Sequence, residues 1–150
     1  MAQSLAQIYI HLIFSVKDRV PVLQPEIRPD LISYFGGICE KIDSPLICAG
    51  IVADHTHLLF RQSKTIPLSK SVERIKTGSS HWLKRNLPRL DWFHWQSGYG
   101  AFSVSASRIT NVQEYILRQE EHHRNKSFQE EFKEFLDRCG VEYDERYLWE

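Results

Sequence analysis

Residues 53–60 read ADHTHLLF, two histidines one residue apart with an aspartate before them and an apolar run behind. In an extended chain residues i and i+2 share a face, so His55 and His57 project together and Leu59 follows them. Two imidazoles then converge on one point. Two ligands rarely hold a divalent ion, so a metal site here needs a third from elsewhere in the chain. The flanking stretches SPLICAGIV and THLLFRQ read as strands joined through ADH, which places the first histidine at the mouth of an antiparallel hairpin.

Upstream, Ile8, Ile10, Leu12, Phe14 and Val16 alternate with Tyr9, His11, Ile13 and Ser15, the pattern of a strand with one strongly apolar face. From about Pro25 to Ile42, Leu31, Ile32, Phe35, Ile38, Cys39 and Ile42 recur at helical spacing, although Gly36 and Gly37 weaken the helix. Downstream, Pro67 opens a helix to about Asn86, with Leu68, Val72, Ile75, Ser79, Trp82 and Leu83 as its buried stripe. LDWFHWQSGYGAFSVSAS then suits a bent hairpin turning at SGYG and returning through Ala101 to Ser105. Thr110 with Gln113 forms a capping box for a helix to about Arg124, and Ser127 with Glu130 another for a helix ending before Gly140.

The order strand, helix, strand, strand, helix, strand predicts an α+β ferredoxin-like sandwich: an antiparallel sheet with helices on one face and a separate helix bearing Tyr115. The opposite face is expected to be open, with His11, His55 and His57 pointing to it. A chain of 150 residues, 42% hydrophobic, supports one domain over residues 1–150. No signal peptide or membrane span is legible, so a cytoplasmic protein without a membrane partner is expected. Cys39, Cys48 and Cys139 form an odd set without a C-x-x-C pair, which argues against a disulfide framework or a four-thiolate zinc site.

The zero net charge hides a division. Residues 1–119 carry 14 Lys and Arg against 9 Asp and Glu, whereas residues 120–150 carry 5 against 10. A basic body facing phosphates, with an acidic tail lying away from them, is one reading; a solvated acidic helix is the other. Lys17, Arg19, Lys76, Lys84 and Arg108 are the candidate phosphate contacts. Trp92, Phe93, Trp95, Tyr99 and Phe102 can stack on bases, yet a domain of this size needs most of them in its core, so one or two are expected at the surface.

The third ligand comes from NVQEYILRQEEHHRN, where Tyr115 and Gln119 are four apart and therefore on one helix face. The Gln119 amide oxygen can join two neutral imidazoles in a site that accepts Mg²⁺ or Mn²⁺ as well as softer ions. A tyrosine beside such an ion can attack a phosphodiester, leaving a covalent phosphotyrosine and a free hydroxyl and conserving the bond for rejoining. His122 and His123 are read as helix-dipole partners or substrate contacts rather than ligands.

Taken in order, HLIFSVKDRVPVL, ADHTHLLF, WQSGYGAFSVS and YILRQEEHH resemble the small HUH single-tyrosine transposases of bacterial insertion sequences and their relatives, the repetitive-palindrome-associated tyrosine transposases. The resemblance covers nearly the whole chain. It places the paired metal histidines on His55 and His57, the nucleophile on Tyr115 and the third ligand on Gln119. It implies a divalent metal, cleavage of single-stranded DNA beside a hairpin through a 5′-phosphotyrosine, strand transfer, and a homodimer in which one chain's tyrosine helix can complete the other's site. One departure is Thr56, where the motif is usually bulky and apolar; it is expected to face away from the metal. A domesticated hairpin-binding protein without transposition, and a zinc hydrolase using a third histidine, are the competing readings.

Overall fold

A computed structural model describes residues 2–119 and 125–150. Four strands, β1 (Tyr9–Ser15), β2 (Leu46–Ile51), β3 (His55–Arg61) and β4 (Gly100–Val104), form one sheet in the order β2-β3-β1-β4. Both neighbours of β1, and the β2–β3 pair, are antiparallel. Helices α1 (Arg28–Lys41) and α2 (Leu68–Asn86) connect them, and α3 (Ile109–Leu117) and α4 (Phe128–Arg138) follow β4. This is the ferredoxin-like α+β order that the alternation and helix stripes predict.

The period-two alternation of β1 decides which residues meet. Ile10, Leu12, Phe14 and Val16 enter the main core with Leu58 and Phe60 of β3, Leu31 and Phe35 of α1, and Val72 and Ile75 of α2. His11, Ile13 and Ser15 face the other side, where Ser15 lies opposite His55 and Ile13 opposite His57. That side is covered rather than open. Helix α3 packs on β2 and β3, and Phe128, Phe132 and Leu136 of α4 close over Ile13 and Phe102 in a second apolar cluster. Thr56 points to the main-core side, as its position between the histidines requires, and donates its hydroxyl to the Gly50 carbonyl at 3.2 Å.

The segment after α2 differs from the expected hairpin. Only β4 pairs along β1, and Trp95 makes a single bridge to Val16. Side chains of α2 take over the turn: the Lys76 ammonium donates to the carbonyls of Gln96, Ser97 and Gly98 at 2.7, 3.3 and 2.6 Å. The Trp95 indole N–H donates to Ser79 Oγ at 2.9 Å. Of the five aromatics in this region, Trp92 and Tyr99 are exposed and the rest are buried, which matches the balance expected between core and surface.

Helix α3 also departs from its expected limits. A 3-10 turn over Ala106–Arg108 leads into it, so Arg108 rather than a residue of the Thr110–Gln113 box occupies the cap, without a side-chain hydrogen bond. The helix stops at Leu117, where Arg118 leaves helical geometry at φ −101°, ψ 23°. The expected continuation to Arg124, with His122 and His123, falls partly outside the described residues. The second capping box is present: Ser127 Oγ accepts from the Glu130 N–H at 3.2 Å.

Seating α3 on the sheet depends on Gly50. A Cβ there would lie 2.4 Å from the Ile116 carbonyl oxygen, a backbone atom that moves only if the helix moves. Gly50→Ala is therefore expected to destabilise the fold by about 1–3 kcal/mol. Gly37→Ala, where an added methyl meets open space in α1, is expected to stabilise by about 0.5–1 kcal/mol. Urea unfolding of the two variants checks both signs.

Candidate active site

His55 opens β3 and His57 follows on the same face, and both imidazoles are fully buried. Each is tied back through Nδ1: His55 to Asp54 Oδ1 at 2.7 Å, and His57 to His11 Nε2 at 2.8 Å. Their Nε2 atoms turn toward one carboxylate oxygen, Glu131 Oε1, at 2.9 Å from His57 and 3.7 Å from His55. The other oxygen, Oε2, accepts a short hydrogen bond from the Tyr115 hydroxyl. Two histidines from a central strand and a tyrosine from α3 therefore meet on a single carboxylate carried by α4.

Gln119 lies one turn beyond Tyr115. It is buried over Gly50, and its amide donates to the Tyr115 carbonyl at 3.3 Å. It also shares a hydrogen bond with the Tyr115 hydroxyl that favours the phenolate. The four residues expected to form the site, His55, His57, Tyr115 and Gln119, are thus brought together within one chain.

Burial and two carboxylates set the electrostatics. Burial, with His57 close by, holds His11 well below the ordinary histidine range, so it is a neutral partner for the His57 ring. Burial alone would also lower His55, but hydrogen bonds and charge from Asp54 and Glu131 outweigh it and push His55 up. Tyr115 is pushed up by burial first and by Glu131 second, so its hydroxyl is held as a protonated phenol.

The donor set fits a divalent cation. His55, His57 and Glu131 offer ligand atoms that all lie within 4.8 Å of one another. Ligating histidines characteristically anchor their other nitrogen, as Asp54 and His11 do here. Two imidazoles and a carboxylate suit several first-row metals as well as Mg²⁺. His11 meets the Nδ1 side of His57, away from Glu131, so among the described residues it adds no third imidazole to this set.

Residues 4–119 match the family model described as Transposase IS200 like. The chain belongs to the IS200-like transposase family. Comparison with curated proteins gives no match. Among solved structures, a candidate transposase from Deinococcus radiodurans R1 is similar at a TM-score of 0.64, with 23% identity over 77% of this chain and 95% of that one. A REP-associated tyrosine transposase bound to a REP hairpin is similar at 0.59, with 12% identity over 82% of this chain and 74% of that one. At these identities the likeness is one of fold. Among the described residues no helix is long and apolar enough to cross a membrane.

Glu131 falls beyond the residues matched to the IS200-like family, and sequence reasoning misses it. A signal is present: on α4 it sits three residues after Phe128 and four before Phe135, inside the apolar stripe. A carboxylate on a buried stripe needs a partner. Part of the acidic segment, α4, covers the histidine face of the sheet. Of the basic candidates, Arg108 lines a cleft with Tyr115. Lys17 is exposed and Arg19 half-buried in the turn after β1, with the Arg19 guanidinium 5.6 Å above the Trp149 ring. Lys76 and Lys84 lie on α2 across the sheet, in a separate groove. Lys76 also braces the 96–98 turn through its bonds to the Gln96 and Gly98 carbonyls.

Removing the shared carboxylate leaves the Tyr115 hydroxyl and the His57 Nε2 without this partner. Glu131→Ala is expected to lower the stability of the metal-free protein by about 1–3 kcal/mol. Urea unfolding in chelator measures it, and a change within about 0.5 kcal/mol would match an ordinary surface substitution.

Proposed function

We propose that this IS200-like transposase cleaves and rejoins single-stranded DNA next to a hairpin, in a metal-dependent reaction through a 5′-phosphotyrosine on Tyr115. The observation that carries the reading is the meeting of His55, His57 and Tyr115 on Glu131. That arrangement joins a metal-ligand set to a nucleophile, a combination that phosphoryl transfer uses and simple binding does not need.

His55, His57 and Glu131 Oε1 would hold the ion, and Gln119, already in contact with the Tyr115 hydroxyl, is the further oxygen ligand that the spacing suggests. A divalent ion bound there supplies Lewis acidity, Mg²⁺ and Mn²⁺ being the candidates. Asp54 and His11 fix the two imidazoles so that each Nε2 is turned toward Glu131, where an ion would be held. Glu131 Oε2 orients the Tyr115 hydroxyl and accepts its proton as the phenolic oxygen attacks phosphorus. The P–O3′ bond breaks with its electron pair on O3′, which takes a proton from solvent to give the 3′ hydroxyl of one fragment, while the 5′ phosphate stays on Tyr115; attack by another 3′ hydroxyl, its proton passing to solvent and the Glu131 proton returning to the phenolic oxygen, reverses the step and transfers the strand. The hairpin preference rests on the family and on the likeness in fold to a hairpin-bound tyrosine transposase.

Tyr115→Phe removes only the attacking oxygen. It is expected to abolish the covalent adduct with a hairpin carrying a single-stranded flank, while DNA binding stays within about threefold, a cost below ~1 kcal/mol. Denaturing gels and mass spectrometry read the adduct, and an adduct surviving in the variant would refute the assignment.

Because Tyr115 reaches the histidine cluster of its own chain, the geometry favours action in cis. Mixing Tyr115→Phe chains with His57→Ala chains, after verified subunit exchange, is expected to restore no cleavage. Recovery would mean that tyrosine helices are exchanged between the subunits of a dimer.

A further inference from the structure

Residues of α3 and α4 line a cleft of about 520 Å³ beside the Tyr115–Glu131 contact, and it opens to solvent. The volume is in the range of sites that take small organic groups. Tyr115 and Glu131 form part of its lining, so any group that fills the cleft comes within reach of the nucleophile. The α3 wall carries Arg108 and Asn111, and the α4 wall carries Phe135 and Arg138.

The chemistry of these walls is that of a nucleotide. Arg108 and Arg138 are exposed, and among the described residues neither guanidinium is in an ion pair. Arg108 precedes Tyr115 by seven residues and Arg138 follows Glu131 by seven. Seven residues correspond to about two turns and ~10 Å of helix, so each arginine stands away from the phosphate that Tyr115 would attack and beside its neighbours. Phe135 is half-buried in the same cleft, its ring T-shaped against those of His11 and Tyr115, with the Arg138 guanidinium 5.9 Å from its ring centre. An aromatic ring beside a guanidinium plane is a platform on which a base stacks. The Asn111 amide is exposed and offers both a donor and an acceptor to a base edge.

We propose that the cleft between α3 and α4 is a nucleotide subsite, receiving the single-stranded segment next to the phosphodiester attacked by Tyr115, with Arg108 and Arg138 holding its phosphates and Phe135 stacking on a base. This rests on the single-strand cleavage reading above. It assigns a DNA-binding role to α4, which lies beyond the residues that match the family and within the most acidic part of the chain. The acidic segment thus turns an arginine and an aromatic ring toward the substrate while its carboxylates Glu131 and Glu134 meet His57 and Lys126.

The test measures affinity of the full-length protein, in chelator so that no strand is cut, for a hairpin with a single-stranded flank and for the same hairpin without it, across a range of salt. Arg108→Ala and Arg138→Ala are each expected to weaken binding of the flanked hairpin about 3- to 10-fold and to reduce its log–log salt slope by about 0.7, the value for one single-strand phosphate contact. Binding of the bare hairpin should change by less than about twofold. Arg138→Lys, which keeps the charge, should restore most of the slope. Both arginines are exposed, so folding is not at stake. If the double variant binds the flanked hairpin like the parent, or if both DNAs weaken equally, the subsite is wrong while cleavage by the parent protein still stands. If the parent neither binds flanked hairpins nor forms an adduct with metal restored, the cleavage reading fails and the subsite fails with it.

Discussion

One carboxylate holds the two halves of the site together. Glu131 takes His57 Nε2 on one oxygen and the Tyr115 hydroxyl on the other, and it is itself almost wholly buried. A buried carboxylate without partners is heavily penalised, and these contacts offset that penalty. The same contacts fix where α4 sits on the sheet and where the hydroxyl of α3 points. Phe128 and Phe132 support the carboxylate from the same helix, with Phe128 packed 4.6 Å from the His55 ring centre and Phe132 stacked on Phe128. Gly100 leaves the room they need, since a Cβ there would meet the Phe132 ring at 2.3 Å.

Below that contact, the register of the sheet does the positioning. Because β1 and β3 pair with Ser15 opposite His55 and His11 beside Leu59, His11 reaches the back of the His57 ring, and Asp54 does the same for His55 from the preceding turn. A shift of one residue would send both histidines into the main core. The apolar residues on the other face of β1 and β3, packed by α1 and α2, make that shift costly. The geometry of the histidine cluster on one side of the sheet is thus specified by hydrophobic packing on the other.

Much of this is legible in the amino-acid sequence. Period-two alternation marks β1 and its faces, the H-x-H spacing puts both histidines on one side of β3, and the Tyr115–Gln119 spacing puts the two side chains on one face of the chain after β4. These are local patterns, and local patterns are what a sequence displays directly. Glu131 is not legible in the same way, because its meaning is long-range: 74 residues separate it from His57, and on its own helix it is one acid among several, adjacent to the capping Glu130. The covered second face escapes a sequence reading for a related reason, since nothing local in α4 says which side of the sheet it packs on. The 91–99 segment misleads because its aromatic, turn-rich composition suits a hairpin, whereas Lys76 and Ser79 of α2 supply the hydrogen bonds that its backbone and Trp95 use instead.

The central claim is that Glu131, from beyond the region matched to the family, is part of one metal and tyrosine centre with His55 and His57. A crystal structure of the Mn²⁺-loaded protein, with anomalous data, tests it most directly. One anomalous peak is expected within about 2.0–2.4 Å of His55 Nε2, His57 Nε2 and a Glu131 oxygen, with Tyr115 still hydrogen-bonded to the carboxylate. A peak held by the two histidines with Glu131 and α4 displaced from it, or Mn²⁺ bound elsewhere with Glu131 still on His57, would contradict the claim.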